Sequence, residues 1–383
     1  MCLSIFISFI GGLLINKSHY PNFVLLLTIL TVWLLGPTLV VNKRRSYITL
    51  IFIAVSSSVI MAIKTKSLLL FYVFFEFSII PIIFIIFTYG YQPEKLQATL
   101  SLLLYTIVGR LPLLIVIVKN EIRFTRDILL LLPLTLAFMI KSPMYLLHIW
   151  LPKAHVEAPV GGSILLAGVL LKLGSYGLLL FLPMTILSDL HTLYLSLSIV
   201  GGIVGSLICS RQGDLKILIA YSSVVHMGVV TLGFIRGSEL GYICGIMMVF
   251  GHGIASPFLF AMSFWLYCNS HSRLMVNRII TLPIVAFLLF ALVSLNIGVP
   301  PSLGLWSEVL ITIASCFMMG CVWPFLVLLF LFGVLYNLFL YVSCTHAKFI
   351  NTAGFLGLGV QAPMLQAITI SYGSLFSLDL FHL

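Results

Sequence analysis

Apolar runs close to twenty residues long follow one another through this chain from end to end, and no other feature limits its folding as strongly. In an α-helix, ~20 such residues cross the hydrocarbon core of a bilayer. Lipid offers the backbone no water to bond, so only helices and closed barrels can span it, and the period-2 alternation of barrel strands is missing. The expected fold class is therefore an all-α, polytopic membrane protein. Composition agrees, since 61% of the 383 residues are hydrophobic and 8% charged, against about 25% charged in a soluble domain. Spans are expected at 2–16, 22–41, 47–63, 67–90, 97–118, 128–150, 158–182, 185–209, 214–235, 240–267, 280–298, 302–319 and 323–344, with a weaker one at 363–380. That gives 13–14 transmembrane helices.

A formal charge of +10 would suggest a nucleic-acid partner in a soluble protein. Here the basic residues lie mainly in short loops such as Asn42-Lys43-Arg44-Arg45, where orientation and contact with anionic membrane lipids explain them, and no nucleic acid is expected. Alternate loops hold nine and seven Lys or Arg residues, too even a split to orient the chain. Connections such as Lys64-Thr65-Lys66 and Gln92-Pro93-Glu94-Lys95 make neighbouring helices antiparallel and leave no domain for a soluble cofactor. The seven cysteines lack CxxC spacing and read as small packing residues rather than metal ligands or disulfides. The first segment, Met1 to Leu14, has neither a basic n-region nor a cleavage site and is expected to stay as a membrane helix. Such a chain suits a product made inside an organelle or a bacterial membrane protein.

Four ionisable residues stand near the middle of spans: Glu76, Lys141, Lys172 and Glu308. A charge at a helix centre costs about 2.5–3.5 kcal/mol on insertion scales, so each must pair, be hydrated or titrate. Glu76 and Lys141 are read as sharing a desolvated site, where burial disfavours the ammonium and the carboxylate favours it. Moving the partner charge then loads or unloads the lysine. A lysine at its ordinary pKa of about 10.4 would hold its proton too tightly to pass it on at neutral pH. Lys172 adds a second amine and Glu308 an acceptor on the way out, which makes up a proton relay. The competing reading is a static set of ion pairs fixing helix register, or lysines that snorkel from helix ends.

Helix interruptions point to the same places, because Pro143 follows Lys141 by two residues and Pro300-Pro301 precede Glu308. Broken helices expose carbonyls and leave room for water. Secondary candidates are four histidines. His148 is seven residues beyond Lys141, on the same face if the helix recovers after its proline, and His155 is seven further on. His226 has Ser222 at i−4 and His252 has Ser256 at i+4, hydroxyls able to hold water. A lone intramembrane histidine is as often a packing hydrogen-bonder as a carrier. Tyr176, at i+4 from Lys172, can orient that amine or simply pack. Arg110, just before Pro112, reads as a snorkelling cation, and Phe71, Phe74, Phe75 and Phe77 as lipid- or helix-facing aromatics that need no cofactor.

The run KSPMYLLHIWLPKAHVEAPVGGS from Lys141 resembles the antiporter-like membrane subunits of respiratory complex I, NADH:ubiquinone oxidoreductase, and among them the subunit 4 branch. Further stretches agree in order: FEFSIIPIIF around Glu76, GVLLKLGSYGL around Lys172, DLKILIAYSSVVHMG from Asp214, GHGIASPFLF from Gly251, HSR at His271 and PPSLGLWSE ending at Glu308. The resemblance covers about residues 67–340. It implies two inverted five-helix repeats, each with a broken helix. It also implies that Glu76 and Lys141 are the coupled pair, Lys172 the central relay lysine and Glu308 the exit carboxylate. The implied activity is proton translocation across the inner mitochondrial membrane, driven by quinone reduction in other subunits. Partners would be other membrane-arm subunits, including sister antiporter-like ones, with no cofactor in this chain.

Three departures from the family pattern stand out. Glu76 arrives after three spans where four are usual, Arg110 stands where a small residue is typical, and the segment after Pro301 reads SLGLWSE where Asn or Thr is more usual. The expected organisation is N-terminal helices over 1–66, a proton-translocating core over 67–345, and a connector with a possible last helix over 346–383. A related cation/proton antiporter subunit and a structural scaffold of the membrane arm are the alternatives. A self-contained redox enzyme is disfavoured, because the sequence has no nucleotide fingerprint, iron–sulfur spacing or axial-ligand pair.

Overall fold

Helices cover nearly all of the computed structural model, which describes residues 21–41, 46–65, 67–90, 92–118, 128–181, 189–235, 237–270, 272–275, 283–316, 322–345 and 358–373. The first half holds α1 (Pro21–Val41), α2 (Ser46–Lys64), α3 (Leu68–Phe77), α4 (Ile80–Tyr89), α5 (Lys95–Val118), α6 (Ile128–Lys141) and α7 (Trp150–Glu157). Next come α8 (Val160–Phe181), α9 (Asp189–Ser210), α10 (Leu215–Ile235) and α11 (Glu239–Ser270). The last elements are α12 (Pro283–Ile297), α13 (Leu303–Cys316), α14 (Trp323–Thr345) and α15 (Leu358–Gly373).

Among the described residues, eight stretches are long and apolar enough to cross a membrane and four shorter apolar helices accompany them, with α15 in addition. This matches the multi-span expectation. The predicted span at 2–16 and the basic loop at 43–45 lie outside the described residues. The weak C-terminal span predicted at 363–380 is observed as α15, which begins five residues earlier.

Burial separates centre from rim. Within their apolar windows, α8, α10 and α11 are 94%, 89% and 89% buried, whereas α5, α9 and α14 are 39%, 39% and 28% buried. A helix that is apolar all round belongs inside, and these three form the core on which the others pack. Glycine lets α8 come close to α6: a Cβ at Gly174 would stand 2.6 Å from the Ser142 nitrogen and 3.0 Å from the Lys141 carbonyl carbon. The core is therefore in direct contact with the end of the Lys141 helix.

Two spans read as continuous are broken. The stretch 67–90 divides at Ser78-Ile79, because Pro81 at the start of α4 has no N–H to continue the ladder of α3. The stretch 128–150 ends as helix at Lys141, and 142–149 is irregular before α7 begins. Leu146 in that segment has φ +75°, a left-handed conformation costly for a branched residue. The helix therefore does not recover after Pro143. Within α8, residues Leu166–Leu170 form a π turn, a widening common at functional sites. The break before α13 falls at 298–302, where Gly298 has φ +82° and a Cβ would meet the Leu305 nitrogen at 3.1 Å and Glu308 Oε2 at 3.4 Å.

Candidate functional site

Lys141 is the last residue of α6 and is 4% exposed. Its Nζ donates to the Phe75 carbonyl and to Ser78 Oγ, both at 3.3 Å, and lies 3.5 Å from the centroid of the Phe75 ring. Phe75 and Ser78 mark the C-terminal end of α3. The ammonium thus meets one carbonyl at a helix C-terminus, which also accepts from Ser78 Oγ, the negative end of the helix dipole and an aromatic face, all of which favour a cation. Glu76 lies between those two partners in sequence, yet its carboxylate is paired elsewhere. Oε2 accepts from Arg110 Nη1 of α5, and Tyr72, one turn back, lies against the same carboxylate.

Arg110 is 7% exposed, and its Nε donates to the Thr106 carbonyl at 2.7 Å. It is a buried ion-pair partner and not the snorkelling cation expected from its place near a proline. The expectation that Glu76 and Lys141 form one pair is likewise amended: the carboxylate lies among three groups, with Arg110 as its ion-pair partner. The aromatic stripe also divides, because Phe71 and Phe75 are buried while Phe77 faces outward, and Phe75 belongs to the lysine site.

A cavity of about 20 Å³, counted as space open to the centre of a water-sized sphere, adjoins Lys141. It has room for about one water. Thr106 and Trp150 line it on one side, and Leu166, Leu170 and Leu171 of the π-turn region on the other. Trp150 is fixed by its Nε1–H, which donates to the Ile140 carbonyl at 3.1 Å. Lys172, which follows Leu171 in sequence and has no exposed surface, donates from Nζ to the Ala167 carbonyl inside the π turn and meets His252 Nδ1 at 2.9 Å. The rings of His252 and His226 are 5.5 Å apart, and His226 Nε2 lies 3.5 Å from the Tyr336 hydroxyl.

His226 opens onto a second cavity of about 40 Å³ by the same measure, shared with Asn296, Tyr336 and half-buried Glu308. It can hold about two or three waters. Asn337 donates to the Gly333 carbonyl and accepts from Asn296 Nδ2, both at 2.9 Å. Asn296, held by this bond, lines the same cavity as His226. Lys172, His252, His226 and Glu308 thus form a polar file through three of the most buried helices and into α13.

The other expected residues fall elsewhere. Tyr176 donates to the Ile63 carbonyl at 3.1 Å and so ties α8 to α2 instead of orienting Lys172. Ser222 and Ser256 donate to the carbonyls of Ile219 and His252, so their hydroxyl protons are committed to the backbone and not to holding water. His148 stacks on Tyr145 and meets Tyr221 edge-on, off the Lys141 face because the intervening segment is not helical. His155 is fully buried and lies flat on Phe260 at 4.4 Å between centroids, and neither ring nitrogen has a hydrogen-bond partner among the described residues. Sequence reasoning also missed Glu157. It is 2% exposed, accepts from the Gln92 N–H at 3.2 Å and lies 3.9 Å from Arg273 Nη1, clasping two loops. Its place within the motif from Lys141 was the available signal.

Residues 65–336 match the family described as NADH:quinone oxidoreductase/Mrp antiporter, transmembrane. The chain is 38% identical over 379 residues to NADH-ubiquinone oxidoreductase chain 4 of Ceratitis capitata, covering 90% of this chain and 83% of that one. It is 41% identical over 297 residues to the chain 4 of Artemia franciscana, with 74% and 76% covered. Among solved structures, a chain of respiratory complex I from Thermus thermophilus with bound NADH superposes with a TM-score of 0.85 at 21% identity. That match covers 94% of this chain and 83% of the other, and is a likeness of fold.

Proposed function

Because the chain belongs to the NADH:quinone oxidoreductase/Mrp antiporter transmembrane family, we propose that Glu76, Lys141, Lys172, His252, His226 and Glu308 are its proton path. The chain is a multi-pass subunit of the inner mitochondrial membrane, where it belongs to a proton-translocating NADH:ubiquinone oxidoreductase and adjoins other membrane-arm subunits, sister antiporter-like ones among them. Quinone reduction takes place in those other subunits, and this chain holds no redox centre or cofactor of its own.

The observation that carries the path is the succession of titratable groups from Lys172 to Glu308 through an otherwise apolar core: Lys172 meets His252, the His252 and His226 rings stand 5.5 Å apart, and His226 and Glu308 line one cavity. Each member can hold or give up a proton, and neutral imidazole can do both at once through its two nitrogens. Protonated Lys172 passes its proton to His252 Nδ1, and His252 releases one from Nε2 toward His226. Water in the larger cavity carries it on to Glu308. Upstream, Lys141 lies beside the small cavity, whose wall includes Leu166, Leu170 and Leu171, the residues leading up to Lys172. Lys141 is held by backbone dipoles that persist whatever the state of Glu76, so a change at the carboxylate alters its charge without moving its site.

The scaffold reading assigns the same charges to static pairing, but among the described residues only Glu76 of the four has an ion-pair partner. An antiporter for other cations is less well supported, since the two relatives at 38% and 41% identity are both oxidoreductase chains. The test is NADH-driven proton pumping by assembled complex carrying Lys141→Ala, with assembly followed on native gels. The relay requires pumping and quinone reduction to fall together in fully assembled complex. Normal values of both would leave only the scaffold.

A further inference from the structure

We infer that Arg110 is a positioning residue of the relay, a permanent counter-cation that holds the Glu76 carboxylate and sets the charge Lys141 encounters. This rests on the relay reading above and goes further by assigning a role to a residue outside it. The guanidinium is 7% exposed, within the span of α5, and ion-paired with Glu76 Oε2. Its Nε is bound to the Thr106 carbonyl, so the side chain is anchored within its own helix at the same time. Thr106 also lines the small cavity beside Lys141, which places the Arg110 anchor and the Lys141 ammonium on one water-sized space.

A guanidinium stays charged at any working pH, whereas an ammonium can lose its proton. The carboxylate and guanidinium together sum to nearly zero. Lys141 therefore faces a neutralised pair on that side and relies on the Phe75 carbonyl, the Ser78 hydroxyl and the Phe75 ring. The groups facing Glu76 are Tyr72 from its own helix, Arg110 from α5 and Lys141 from α6. Of these cations Lys141 is the one whose charge can leave as a proton. Arg110 thus makes the Lys141 ammonium easier to discharge, both by direct repulsion and by occupying its natural counter-ion.

The variant that isolates charge from shape is Arg110→Gln, which keeps hydrogen-bond donors of similar reach and removes the cation. At a separation of about 10 Å and an effective dielectric of about 20, one unit charge moves a neighbouring titration by roughly one pH unit. With the cation gone Lys141 holds its proton more tightly, so the alkaline limb of the pumping–pH profile in inner-membrane vesicles moves upward by about that amount. Arg110→Lys retains a cation and is expected to keep the native limb. An unshifted limb in Arg110→Gln, or equal shifts in both variants, overturns the inference, because shape and not charge would then be what matters. If Arg110→Gln does not assemble, Arg110→Lys decides alone: a native limb supports the inference and a displaced one overturns it. Lys141→Ala in the same vesicles keeps the two readings apart. Normal pumping there removes the relay itself, whereas lost pumping with an unshifted Arg110→Gln limb removes only the role of Arg110.

Discussion

Replacing Lys172 by methionine separates a proton carrier from a structural strut, because the two roles predict opposite balances of stability and activity. The side chain is fully buried among apolar neighbours, and methionine matches its length and volume. The substitution strands two acceptors, the Ala167 carbonyl and His252 Nδ1, at about 1–3 kcal/mol each. It also removes an ammonium that has no anionic partner among the described residues, which relieves a desolvation cost of several kcal/mol. The terms are of similar size and opposite sign, so the subunit should assemble with its melting point within about 5 °C of native. Proton transfer has no such compensation, because methionine can neither bind nor release a proton. Pumping by assembled complex should fall at least tenfold, with quinone reduction falling beside it. Blue-native gels with a thermal ramp give the first quantity, and a pH-sensitive dye in NADH-energised vesicles the second. A variant that melts far below native yet pumps normally per assembled complex would refute the argument.

Other perturbations follow from close contacts in the same region. Gly174→Ala drives a Cβ against the backbone at Ser142, where neither side can yield freely, and should lower stability by about 1–3 kcal/mol, read as a lower melting point of the complex. Gly298→Ala combines a left-handed φ of +82° with a 3.1 Å approach to the Leu305 nitrogen, and is expected to cost about 1–2 kcal/mol and to depress pumping by displacing Glu308. Asn337→Leu leaves the buried Asn296 amide without its acceptor, at about 1–3 kcal/mol, and frees that amide to rotate away from His226. Pumping should then fall more than assembly, whereas Asn337→Asp, which still accepts from Asn296, should retain more activity.

The spans were legible because lipid leaves the sequence one solution, a helix of about twenty apolar residues, and a charge inside such a run is visible without any structure. Glu76, Lys141, Lys172 and Glu308 stand out in this way as candidates, with His226 and His252 ranking below them. Partners across helices were not legible. Arg110 reads as a snorkelling residue because its own helix has a nearby end and a proline, and only the packing of α5 on α3 reveals a carboxylate within reach. His148 was placed on the Lys141 face by assuming 3.6-residue periodicity, which fails once the chain turns irregular after Ser142. The serines near the histidines had a cheaper partner one turn back in their own helices, which counting along a face does not price in. The π turn carries no signal in composition, since LAGVL is unremarkable in any membrane helix.

Charges and irregular backbone coincide in this fold for one physical reason. A lysine in lipid needs an oxygen, and an intact helix has every carbonyl committed to its own ladder. Lys141 takes its oxygen from the end of α3, which exists only because Pro81 interrupts the span, and Lys172 takes one from a carbonyl inside the π turn. Glu308 follows the turn at Gly298 and faces a cavity that can supply water. Each break thus solvates a charge with peptide dipoles or water and leaves it no permanent counter-ion among the described residues, so the charge can leave as a proton. Glu76 is different: its ion pair with Arg110 supplies charge of opposite sign where the other three have only dipoles or water. A site solvated by dipoles can empty and refill, whereas one matched to a fixed cation tends to stay charged. On that logic Glu76 is the member of the path least ready to take up a proton, while Lys141, Lys172 and Glu308 exchange theirs more freely.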